Sequence, residues 1–179
     1  MPTYPSHRQV NAEELERLYV LIGRGVWHLQ YVEDALNTLI TIKHEVKTPG
    51  RIPEAEARAL LAKHRGNTLG TSLKVVKSEG LVPLELLDAL GRFKEERDWL
   101  VHRSQTTHGD LLYTDRGRSE TFARLDAFTD EATRLQKALL REINQYVSAL
   151  GLDVAAAERI ALKNIGHLRG EAQSNVRPP

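Results

Sequence analysis

Apolar residues recur at steps of three and four along nearly the whole chain of 179 residues, and no stretch alternates with a period of two. Steps of three and four return to one face of a helix with 3.6 residues per turn, whereas a half-buried strand needs strict alternation. The chain is therefore expected to be all-α, a helical bundle with two long helices and shorter ones between them.

Asn11 followed three residues later by Glu14 has the form of a capping box. From there to about Val46, Leu15, Leu18, Ile22, Val26, Leu29, Leu36 and Ile40 predict the first long helix. Gly23 and Gly25 mark a bend or a close helix contact inside it. Thr48, Pro49 and Gly50 form a turn signal. Pro53 opens a short helix to about Lys63, Gly66 breaks it, and a second short helix reaches about Ser78. Pro83 opens a helix carrying Leu86, Leu87, Leu90, Phe93, Leu100 and Val101. Residues 104–118, rich in Thr, Gly and Asp, are expected to be a loop. A long helix follows from about Glu120 to Leu150, then Gly151 and a last helix capped by Asp153. The domain is expected over residues 11–170, between flexible ends at 1–10 and 171–179.

Lysine and arginine number 25 against 24 aspartates and glutamates, a net charge of +1, so bulk charge cannot drive nucleic-acid binding. Cysteine is absent, which removes disulfides and thiolate metal sites and fits a cytoplasmic setting. No apolar run approaches the roughly 20 residues of a membrane helix. No HExxH, phosphate-binding glycine loop or dinucleotide fingerprint occurs, so neither metal nor cofactor is expected. Ser104 and Ser119 have no triad context, and Trp27, Tyr31 and Trp99 are expected in the core.

Two charges stand on apolar stripes. At about 100° per residue, Arg97 falls among Leu86, Leu90, Phe93 and Leu100, and Glu33 falls among Leu29, Leu36 and Ile40. A charge facing a core must be paired or open onto a cleft or interface. Each suggests the other as partner, in a structural ion pair or a site. Asp98 and His102 are four apart and share a helix face, where the carboxylate could orient the imidazole. His102 lies about 140° around the helix from Arg97, so the two do not converge from one helix. As a plain surface residue, His102 would still sit well at a helix C-terminus. Arg92, Lys94, Arg103, Arg116 and Arg118 are candidates for a local RNA-contacting patch, or for a solvated face interleaved with Glu95, Glu96, Asp110 and Asp115.

The segment from Lys94 to Arg103, with Arg97, the polar Asp98 and then His102, resembles the signature of HEPN domains. The loose Arg-to-His spacing also occurs at Arg58–His64 and Arg103–His108. Only Arg97 has a polar neighbour, apolar Leu100 and Val101 before the histidine, and a late position on an amphipathic helix. The resemblance extends to the helical layout over about residues 10–150, including Glu33 in the long first helix. It implies an HEPN-like bundle and a metal-independent endoribonuclease. The motifs would face each other across a homodimer, leaving 2′,3′-cyclic phosphate ends. His102 would be the general acid or base, Arg97 the phosphate-binding cation and Asp98 the residue orienting either. A role as a toxin or phage-defence effector, with an antitoxin or regulatory protein as partner, is implied in the same way. Asp98 stands where Asn is more usual. Ser104 stands where some members of the family carry a tyrosine that the antitoxin modifies. A non-catalytic helical module for dimerisation or partner binding is the alternative.

Overall fold

The computed structural model describes residues 8–46 and 53–169, and among these no β-strand occurs. The elements are α1 (Ala12–Ile40), continued by a π-helical turn (Thr41–Glu45), α2 (Glu54–Arg65), α3 (Leu69–Glu79), α4 (Leu84–His102), α5 (Ser104–His108), a 3-10 turn (Asp110–Tyr113), α6 (Asp115–Ala149) and α7 (Val154–Leu168). The turn expected at Thr48 to Gly50 and the expected C-terminal tail at 171–179 lie outside the described residues. No helix among the described residues is long and apolar enough to cross a membrane.

α1 and α6 run parallel. Glu14 meets Arg118, Arg24 meets Asp126, His28 meets Thr133, and the Tyr146 hydroxyl donates to the Val46 carbonyl at 3.3 Å. A parallel pair cannot be joined by a short turn, so residues 47–114 make the return, and α4 fills the groove antiparallel to α6. Phe93 stacks on Phe128 with centroids 4.7 Å apart, and Leu36, Leu39, Leu90, Leu125 and Leu139 are fully buried among them.

Parallel helices bring two positive dipole ends together. Acidic Glu13, Glu14 and Asp115 in the first turns oppose this. The capping box forms as expected: Asn11 Oδ1 accepts the Glu14 N–H at 2.8 Å, and Glu14 Oε2 accepts the Asn11 N–H at 3.1 Å. Arg8 adds a bidentate pair to Glu14, and its own backbone N–H donates to the Tyr113 carbonyl. The segment expected to be a free N-terminus is thus tethered at Arg8.

The expected loop at 104–118 is mostly helical, a correction with a clear cause. Ser104 Oγ bonds the Leu100 carbonyl, Thr114 caps α6 by accepting the Gly117 N–H, and α6 begins five residues earlier than expected. Side-chain bonds to backbone replace the apolar periodicity that the segment lacks. Trp27 and Tyr31 are exposed at 60% and 43%, not in the core; Trp99 is buried as expected. Asp153 caps α7, which leaves Ile160, Leu162 and Leu168 exposed.

Candidate functional site

The C-terminal half of α4 carries the motif, and its neighbours hold it firmly. Trp99 is buried, with the Arg124 guanidinium 3.8 Å above its ring. The same guanidinium makes a bidentate pair to Glu96 at 2.8 and 3.0 Å, tying α4 to α6 on two successive turns. Leu100 packs beside Gly25 of α1, where any side chain would crowd it. The helix ends at His102, because Arg103 leaves helical geometry while its N–H still reaches the Trp99 carbonyl.

Arg97 is largely withdrawn from solvent. Its Nη1 donates to Asp98 Oδ1 at 2.9 Å, its Nη2 lies 3.7 Å from Glu33 Oε1, and its buried Nε has no hydrogen-bond partner. The Glu33 oxygen also accepts the Leu69 N–H at 3.0 Å, so it serves the first turn of α3 as well. The structure therefore brings Glu33 and Arg97 together, as their stripes suggest.

Asp98 does not turn to His102. Its other oxygen accepts from Lys94 Nζ at 2.7 Å, so both oxygens serve cations. Lys94, and then Arg97, hold its carboxyl below the usual aspartate range. The expected orientation of His102 by Asp98 is absent from this arrangement because the two cations compete for the carboxylate. His102 is exposed on the last turn. Among four surface concavities, lined by residues of α1 and α6, of α1 and α4–α6, of α3 and α4, and of α4 and α6, none includes Arg97, Asp98 or His102.

The five cations expected in one patch separate. Arg118 is buried, with a side chain 3% exposed: it donates to the Leu112 carbonyl at 2.7 Å and pairs with Glu14 and Asp115. It braces the parallel helix ends, and although it borders the concavity between α1 and α6 its guanidinium is committed to protein partners, which corrects its place among the RNA contacts. Arg116 is exposed but paired with Glu120 at 2.7 Å. Arg103 is exposed beside His102. Arg92 and Lys94 border a groove of about 650 Å³ between α3 and α4. Across it stand Lys74 and Lys77, which the sequence reading missed. Their signal is a spacing of three, which puts both on the face of α3 that carries Gly70.

Of the other two Arg-to-His spacings, His64 is buried and its Nε2 lies 3.1 Å from Glu45 Oε1. No group of three or more His, Cys, Asp or Glu side chains suited to a metal occurs among the described residues. Comparison of the chain with protein-family models, with curated proteins and with solved structures returns no match.

Proposed function

We propose that this protein is a metal-independent endoribonuclease of the HEPN type, acting as a pair of chains that face each other across the C-terminal turns of α4. The observation that carries this reading is the turn Arg97–Asp98–His102 itself. It offers a guanidinium set in place by Glu33 and Asp98, with one N–H unsatisfied, and an exposed imidazole without a hydrogen-bond partner among the described contacts. Arg97 and His102 point about 140° apart, so one chain does not aim both at one phosphate. A second copy related by a two-fold axis would bring its own turn opposite.

In this reaction His102 takes the proton of a ribose 2′-hydroxyl, whose oxygen attacks the adjacent phosphorus. The bond to the 5′-oxygen breaks, and the second copy's His102 returns a proton to that oxygen. Arg97 carries the charge that gathers on the phosphoryl oxygens. The products are a 2′,3′-cyclic phosphate and a 5′-hydroxyl; no water is consumed.

One observation favours a second reading, a non-catalytic dimerising or partner-binding module. Both terminal nitrogens of Arg97 face carboxylates, as a structural ion pair would. RNA cleavage by the wild-type chain and by His102→Ala in EDTA, with product ends identified by mass spectrometry, separates the two. Cyclic phosphate ends that vanish in a folded His102→Ala protein are expected. Absence of cleavage across varied RNAs, or equal cleavage by the variant, leaves the module.

A further inference from the structure

We propose that the groove between α3 and α4 holds the phosphate backbone of a single RNA strand and leads it along α4 toward His102. The inference rests on the ribonuclease reading for what happens to the strand, but the groove's own chemistry stands apart from it.

Nearly equal numbers of acids and bases leave few cations unopposed, and most described arginines are committed to carboxylates. Lys74, Lys77 and Arg92 are among the cations that are not: all three are exposed, no carboxylate lies within salt-bridge distance of any among the described residues, and unlike Lys137, Arg141 and Lys163 they gather at one place. All three border one groove, two on the α3 wall and one on the α4 wall. Asp88 and Glu95 line the groove too and offset part of this charge, but with Lys94 the lining stays net positive. Unpaired cations facing each other across a groove form a site for a chain of negative charges.

The apolar part of the lining suits the rest of a nucleotide. Leu84 is 77% exposed, Leu73 and Leu87 line the same groove, and Gly91 has open space where a side chain would stand. Apolar carbon there offers contact to ribose and base faces while the cations take the phosphates. Neighbouring helices pack with axes about 8–10 Å apart, so the groove between them admits an extended strand and excludes a duplex.

Lys94 joins the groove to the motif. Its stem lies over Gly70, 3.2 Å from where a Cβ would be, while its Nζ bonds Asp98, the partner of Arg97. From Arg92 to His102 is about 15 Å along the axis of α4. A strand seated on Lys74, Lys77 and Arg92 therefore continues past Lys94 to the proposed cleavage turn.

The test measures binding in the His102→Ala background, by fluorescence anisotropy of a labelled single-stranded RNA of mixed sequence across a salt series. The triple change Lys74→Gln, Lys77→Gln, Arg92→Gln is compared with Lys137→Gln, Arg141→Gln, Lys163→Gln, which removes the same charge from exposed cations elsewhere. Each backbone contact to a single strand contributes about 0.7 to the slope of log affinity against log salt. The groove variant is expected to lose about 2 from that slope and at least tenfold in affinity at low salt, with unchanged thermal melting, while the control variant keeps most of both. Equal losses in the two variants, or no loss in the groove variant, overturn the proposal. So does RNA that fails to bind while polyglutamate binds and is released by the groove changes, which assigns the groove to an acidic protein segment. Groove-dependent RNA binding without cleavage by the wild type keeps the groove and removes the ribonuclease. Cleavage with KM unchanged by the groove changes does the reverse.

Discussion

Arg97 Nη2 lies 3.7 Å from Glu33 Oε1, and that same oxygen accepts the backbone N–H of Leu69. One carboxylate thus links α1 to the motif helix and caps the start of α3. Removing it uncovers a half-buried guanidinium and an unsatisfied N–H together. Glu33→Ala is expected to cost roughly 1–2 kcal/mol, the lower part of the range for charged hydrogen bonds because the site is partly open to water. Glu33→Gln keeps an acceptor for Leu69 and should lose about half as much. Urea midpoints with an unchanged m value read this out. Wild-type midpoints for both variants would mean that Arg97 and Leu69 find water at no cost.

Arg118 makes the opposite prediction to a ligand-binding arginine. Its side chain fills the space between the two parallel helix starts, donates to the Leu112 carbonyl and Asp115, and pairs with Glu14. Arg118→Ala should destabilise the fold by roughly 2–4 kcal/mol, because it empties a buried position, strips the Leu112 carbonyl of its donor and removes one cation from Glu14 and Asp115. RNA affinity per folded molecule should not change. A stable variant with weakened RNA binding would return Arg118 to the proposed RNA contacts.

The stripes of α1, α4 and α6 were legible in the sequence because amphipathic periodicity is local. The charges at Glu33 and Arg97 stood out against them for the same reason. Arg118 did not, only because α6 was expected to begin at Glu120. Extended back to Asp115, the helix puts Arg118 about 20° from the direction of Leu125 and Ile143, on the buried stripe. Its first turn was hidden because Thr114, Ser104 and Arg118 hold residues 104–118 through side-chain bonds, which leave no apolar pattern. Residue type alone points Trp27 to the core, although the wheel puts it about 180° from Leu36. Lys94 was legible as a cation but not as the partner that takes Asp98 from His102, since competition among side chains one turn apart is settled by tertiary packing.

Acid should weaken the fold through two carboxylates. Arg8, the Asn11 backbone and Arg118 draw the Glu14 carboxyl down to about 2. Lys63 and His64, with His44 adjoining, draw Glu45 down to about 2. Unfolded glutamates titrate near about 4.3. The stabilisation from each is therefore fully present above that value and is lost as pH falls from there toward 2. Wild-type urea midpoints should drop between pH 6.5 and pH 3, and Glu14→Gln and Glu45→Gln should start lower and drop less. Variants that fall as steeply as wild type would place the acid limb elsewhere.

Gly23 and Gly25 are two residues apart, about 200° around α1, and opposite in consequence. A Cβ at Gly23 meets nothing within 4 Å, so Gly23→Ala should gain about 0.5–1 kcal/mol by restricting the unfolded chain and improving helix propensity. A Cβ at Gly25 would lie 3.2 Å from Leu100 Cδ2 and 3.4 Å from Phe128 Cδ1, where α4 and α6 both press on α1. The same propensity gain is there outweighed by an overpacking cost of roughly 1–3 kcal/mol. Leu100 stands two residues before His102, so the strain at Gly25→Ala falls on the turn that presents the imidazole. Under the proposed ribonuclease reading, its RNA cleavage should therefore drop by more than the loss of folded protein explains, while Gly23→Ala cleaves as wild type. Thermal melting and cleavage rates measured on the same two preparations decide this. If Gly25→Ala were as stable and active as Gly23→Ala, the contact among α1, α4 and α6 would not set the position of the motif.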